Sequence, residues 1–161
     1  MGKNIIIQGA DFHENGIVTS VLAIDRTNQM ATATSQSGSS SAPFADIDYE
    51  LLQGKTIIAL EFRPSAAGIL SVTKSTALKT GGYQVVATIN VAQEDVGKIT
   101  KYPLLINVAS NDIIGIHDTN DTARFYYSNS NGAGFYTMIG KAAEALLQNF
   151  DLCINWYIEN E

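Results

Sequence analysis

Near its C-terminus the chain reads Phe150-Asp151-Leu152-Cys153-Ile154-Asn155-Trp156-Tyr157-Ile158. Phe150, Leu152, Ile154, Trp156 and Ile158 recur at every second position. Strand side chains alternate between two faces, so this spacing makes one face wholly apolar and predicts a strand central to a layered sheet. Thr56 to Arg63 repeats the pattern, with Ile58, Leu60 and Phe62 on one face and Ala59, Glu61 and Arg63 on the other. Pro64-Ser65-Ala66-Ala67-Gly68 reads as a turn, and Ile69 to Lys74 as the return strand of a hairpin. Gly82 to Val91, Ile99 to Val108, Ile113 to His117 and Ala123 to Tyr127 are further strands, separated by stretches rich in Gly, Asn, Asp, Ser and Thr. The single helical candidate, Lys141 to Gln148, makes only about two turns. Strands recurring without long helices between them predict an all-β antiparallel sandwich or barrel.

A chain of 161 residues suits one domain. Its 45% hydrophobic content is that of a globular protein, while charged residues make up only 16%. A surface so poor in charge is covered by Ser, Thr, Asn, Gln and Gly, which suits contact with sugars or with other protein copies. Ten basic against sixteen acidic residues give a net charge of −6, the wrong sign for a phosphate backbone. No apolar run reaches the roughly 20 residues of a membrane span. Met1 to Phe12 is too weakly apolar for a secretory signal, so neither nucleic acid nor membrane is an expected partner. Cys153, the only cysteine, lies in an alternating apolar stretch and reads as a small strand residue.

The chain divides into residues 1–45 and 46–161. The first part carries apolar residues at Asn4 to Gln8 and Gly16 to Ile24, with a turn-forming Asn15-Gly16 pair between them. A run of Ala, Thr, Ser and Gly from Ala31 to Pro43 follows. That composition buries no core, so residues 1–45 read as an N-terminal arm with a Ser-rich tether, and residues 46–161 as the sandwich.

Catalytic groupings are not found. His13 and His117 are the only histidines, both beside turns, and no Gly-x-Ser-x-Gly elbow occurs. Gly54-Lys55-Thr56 and Gly140-Lys141 lack the remainder of a phosphate loop and read as turns. Asp46, Asp48 and Glu50 alternate and read as a solvated strand face. Asp112, Asp118, Asn120 and Asp121 offer hard oxygen ligands, but without the glycine and distal glutamate of an EF-hand; turn chemistry is the simpler account. No catalytic residue, metal ligand or cofactor is expected. The strongest binding candidate is aromatic: Phe125-Tyr126-Tyr127 and Phe135-Tyr136 flank a polar loop. A ring face accepts pyranose C–H groups while amides take hydroxyls, so Tyr126, Tyr127, Asn129, Asn131 and Tyr136 are the candidate ligand-binding residues. The competing account is that these rings pack cross-strand and stabilise a hairpin.

Several stretches resemble proteins of gut-bacterial phages and their hosts. Asn4-Ile5-Ile6-Ile7-Gln8-Gly9-Ala10-Asp11-Phe12 and Asn15-Gly16-Ile17 are similar to their opening. Leu52 to Ile57, Ala66 to Val72, Asp121 to Tyr127 and Gly134 to Tyr136 resemble their jelly-roll, carbohydrate-binding-module-like body. The resemblance implies a jelly-roll β-sandwich with an extended N-terminal arm. It implies a non-enzymatic role in the virion of a crAss-like phage, as head fibre, capsid decoration or tail-associated protein. In some relatives an SGNH-type esterase follows the module; its Gly-Asp-Ser-Leu block is absent here. The expected partners are other copies of the chain, a trimer by analogy with phage fibres, other virion proteins through the arm, and host glycans. The alternative is a stand-alone carbohydrate-binding module or lectin.

Overall fold

A computed structural model describes residues 11–13, 16–37, 43–77, 82–118, 123–127, 136–137 and 152–160. Its strands are β1 (Asp11–His13), β2 (Gly16–Val18), β3 (Ser20–Ile24), β4 (Ser35–Gln36), β5 (Phe44–Ala45), β6 (Thr56–Phe62), β7 (Pro64–Ala66), β8 (Gly68–Ser75), β9 (Gln84–Val91), β10 (Thr100–Asn107), β11 (Ile113–His117), β12 (Arg124–Tyr127), β13 (Tyr136–Thr137) and β14 (Ile154–Glu159). One short helix, α1 (Thr27–Thr32), lies among them. Phe150 and the helical candidate 141–148 fall outside the described residues.

Two antiparallel layers face each other, in the orders β10-β6-β14-β3 and β13-β5-β11-β8-β9. Eight of these strands pair as nested partners: β3 with β14, β5 with β11, β6 with β10, and β8 with β9. A ribbon of antiparallel pairs has thus been wrapped over itself, and the contacts β14:β6 and β11:β8 close the two layers. This is the jelly roll, an all-β antiparallel sandwich. Leu60, Phe62, Ile154 and Trp156 of one layer and Leu70, Val72, Ile114 and Ile116 of the other fill the space between them. Trp156 is fully buried, as the C-terminal alternation requires.

Three expectations are corrected. Strands β6 and β8 are not a hairpin, because they lie in opposite layers. Pro64 has no N–H with which to continue the β6 ladder, and β7 instead pairs with β12. Gly68, at φ 136, then admits the chain to the second layer. Alternation reports which face is buried, not which strand lies beside it.

Second, Ile58 does not share a face with Leu60 and Phe62. The register against β14 and against β10 slips within β6, with Ile57 and Ala59 paired on either side of the slip. This bulge turns Ile57 into the main core and sends Ile58 to the opposite face, beside Ala59, Tyr157 and Leu22.

Third, the sandwich does not begin at residue 46. Strands β3 and β5 are members of the two layers, Met30 of α1 is fully buried, and β4 pairs with β12. A polar, Ser-rich composition fits edge strands and short connections as well as it fits a tether. Residues 38–42 and 1–10 lie outside the described residues. Ahead of β3, β1 and β2 form a two-stranded sheet of their own.

Candidate functional site

Buried polar groups concentrate where β3 leads into α1. The Arg26 guanidinium donates through Nη1 and Nη2 to both oxygens of Asp46, at 2.6 and 2.7 Å. Nη2 also donates to Asp48 Oδ2 at 2.8 Å, and Nη1 to the Leu152 and Ile154 carbonyls. Asp46 further accepts from Trp156 Nε1 at 2.8 Å and from the Asp48 backbone N–H. Arg26 and Asp46 are both buried, so this forked pair is charge-assisted and shielded from solvent. The expectation of a solvated strand for Asp46, Asp48 and Glu50 is therefore corrected. Asp46 is a buried anchor, Asp48 is half-exposed on the rim, and Glu50 sits on a 3-10 turn, Tyr49–Leu52.

A second polar row crosses the outer face of the same layer. The Arg26 backbone N–H donates to Asn155 Oδ1 at 2.5 Å, and Asn155 Nδ2 donates to Thr27 Oγ1 and Glu61 Oε1, each at 2.9 Å. Tyr157 O–H donates to the same Glu61 oxygen at 3.1 Å, with the Lys101 ammonium 3.7 Å from the Tyr157 ring centre. Burial, then the Glu61 carboxylate, push the Tyr157 phenol up to about 12. The carboxylates here hold strands together. No feature of the local sequence marked Arg26, because a lone arginine after Ile24-Asp25 reads equally well as surface.

The aromatic candidates are divided between two sheets. Tyr126 and Tyr127 lie on β12, opposite Gln36 and Ser35 of β4, in the small sheet β4-β12-β7. Tyr136 lies on β13, opposite Ala45 in the five-stranded layer. Asn129 and Asn131 lie outside the described residues. Tyr126 stacks under Arg63, whose guanidinium carbon is 3.9 Å from the ring centre, and packs against Met30, Ala33 and Cys153. Arg63 in turn donates to the Ala31 and Ala33 carbonyls. Tyr127 packs against the main core. Tyr126 and Tyr127 are half-buried.

An open groove of about 390 Å3 lies at the end of β8 and β9, lined by Lys74, Ser75, Thr76, Gly82, Tyr83, Gln84 and Asp112. Lys74 Nζ is 3.4 Å from Asp112 Oδ2, and the Tyr83 ring meets His117 edge-on at 5.7 Å between centres. An aromatic wall beside an ammonium, a carboxylate and an amide offers stacking and hydrogen bonds together. The groove leaves no local mark in the sequence, because its lining comes from three separate stretches.

Among the described residues no His, Cys, Asp and Glu side chains group as metal ligands. Asp112 of the calcium candidates accepts from the Ala109 backbone N–H at 2.7 Å, a turn contact; Asp118 is fully buried, and Asn120 and Asp121 lie outside the described residues. No helix among the described residues is long and apolar enough to cross a membrane. No protein-family model, curated protein or solved structure matches the chain.

Proposed function

We propose that the chain is a non-enzymatic surface protein of a phage virion, in which the jelly roll is displayed and the N-terminal segment attaches it to the particle. The observation that carries this reading is that, among the described residues, β1 and β2 pair only with each other. They pair with each other, while β3, one residue further on, is built into the four-stranded layer and followed by the Arg26 clamp. A lone two-stranded hairpin is at best marginally stable in water, so its natural place is against a partner. The jelly roll is a frequent architecture of capsid and lectin domains, which supports the setting by analogy of fold alone. The engagement of Asp46 and Glu61 in contacts between strands, and of Asp112 in a turn, supports a non-catalytic role.

The attachment segment is thereby shortened from residues 1–45 to residues 1–18. Removing residues 1–18 leaves a folded jelly roll that no longer attaches to its particle. Unfolding of the truncated chain, or attachment that survives the truncation, would overturn the assignment. A second reading, glycan binding, is favoured by the groove beside Tyr83. In it the display role and the lectin role share one protein.

A further inference from the structure

The two layers end in four terminal strands, β10, β3, β13 and β9. An exposed sheet edge presents unpaired N–H and C=O groups, and proteins guard such edges with charge, proline, bulges or brevity. Strand β10 carries Lys101, Pro103 and a register break before Ile106. Strand β3 is five residues long and runs straight into Asp25-Arg26, and β13 is two residues long. Strand β9 also shifts register against β8, between Val85 and Ala87, but it carries neither charge nor proline and is regular from Ala87 to Val91. It is eight residues long, Gln84-Val85-Val86-Ala87-Thr88-Ile89-Asn90-Val91, and no charged residue lies between Lys79 and Glu94. Among the described residues its ladder partner is β8 alone.

The surface beside this edge is also apolar. Val85 is 52% exposed, Ile69 of the adjoining β8 is exposed, and Leu105 on neighbouring β10 is 71% exposed. Gln84, Thr88 and Asn90 are exposed and uncharged. We propose that β9 is a self-association edge, at which a second copy of this chain adds its own β9 antiparallel across a two-fold axis to give one continuous sheet.

Charge selects the occupant. Two copies that each carry −6 repel one another, and a neutral face is where they can approach. A charged partner would find nothing on β9 to pair with. The strand also fits its own copy. The outward side chains Thr88 and Asn90 alternate with Ile89 and Val91, which are buried toward the core. A two-fold axis at Ile89 sets Thr88 of one copy opposite Asn90 of the other and Ala87 opposite Val91. Outward residues then meet outward residues, as direct antiparallel neighbours must. The pairing is isologous and closed, so it yields a dimer and not a fibre.

The test is a charge swap on the two outward positions of the full chain, followed by light scattering after gel filtration. The parent chain is expected to be dimeric at high micromolar concentration. Thr88→Glu/Asn90→Glu places carboxylates opposite one another and is expected to be monomeric with an unchanged melting temperature, as is Thr88→Lys/Asn90→Lys. Mixing the two variants is expected to restore a dimer, which a folding defect could not do. A monomeric parent, a dimeric Glu variant, or a mixture that stays monomeric would each overturn the proposal.

Discussion

Replacing Arg26 by Ala removes the guanidinium that holds β3, the β5 end and β14 together. The side-chain hydrogen bonds lost include two to Asp46, one to Asp48 and those to the carbonyls of Leu152 and Ile154. What remains is the Asp46 carboxylate, fully buried, with only Trp156 Nε1 and the Asp48 N–H to satisfy it. Removing one partner of a buried ion pair costs about 3–5 kcal/mol, because the other charge is left uncompensated. Against a typical domain stability of about 5–15 kcal/mol, that leaves the fold marginal. The double variant Arg26→Ala/Asp46→Ala has no orphan charge, so its cost should fall short of the sum of the two single changes by about 1–3 kcal/mol. Urea titration measures both, and Trp156, the only tryptophan, sits on the clamp and reports its opening by fluorescence. A loss below about 1 kcal/mol for Arg26→Ala, or strict additivity, would refute the clamp and return residues 20–45 to the status of an arm.

Three further outcomes follow from the geometry. The Tyr157 phenol is raised from 10.0 to about 12, so as pH rises through that window the unfolded chain loses its proton first and stability falls. Urea midpoints across the window should fall less steeply in Tyr157→Phe than in the parent; equal slopes would place the effect elsewhere. The bulge in β6 predicts that Ile58→Ala couples energetically to Tyr157→Ala, whereas Ile57→Ala does not, in double-mutant cycles read by denaturation. Coupling of Ile57 instead would restore simple alternation through the strand. If glycans bind in the groove, Tyr83→Ala should abolish retention on a glycan array with the fold intact. Tyr126→Ala should instead lower the melting temperature, since that ring packs on Met30 and Cys153.

Periodicity along the chain is enough to give the layer logic of this protein. Leu152, Ile154 and Trp156 face the core because a period of two admits no other arrangement of their side chains, and β8 to β12 begin and end near the turn formers that bound them. Neighbours were not legible. Alternation is identical for a strand that returns as a hairpin and one that crosses to the opposite layer, so only the structure placed β8 against β9 and β11 and away from β6. The bulge at Ile58 was hidden for a related reason, since an extra residue is defined against the partner strand, here β14, and not by the strand that carries it. Residues 1–45 read as an arm because the run of Ala, Thr, Ser and Gly from Ala31 to Pro43 buries little surface of its own. The place of residues 20–37 is fixed by long-range pairings, β3 with β14 and Arg26 with Asp46, which composition does not record. Of the candidate sites, the sequence located the aromatic residues, but only the tertiary structure could separate Tyr126 from Tyr136 and bring Lys74, Tyr83 and Asp112 to one groove. Local periodicity governs which way a side chain points; which chemical groups meet is decided by chain segments distant in sequence.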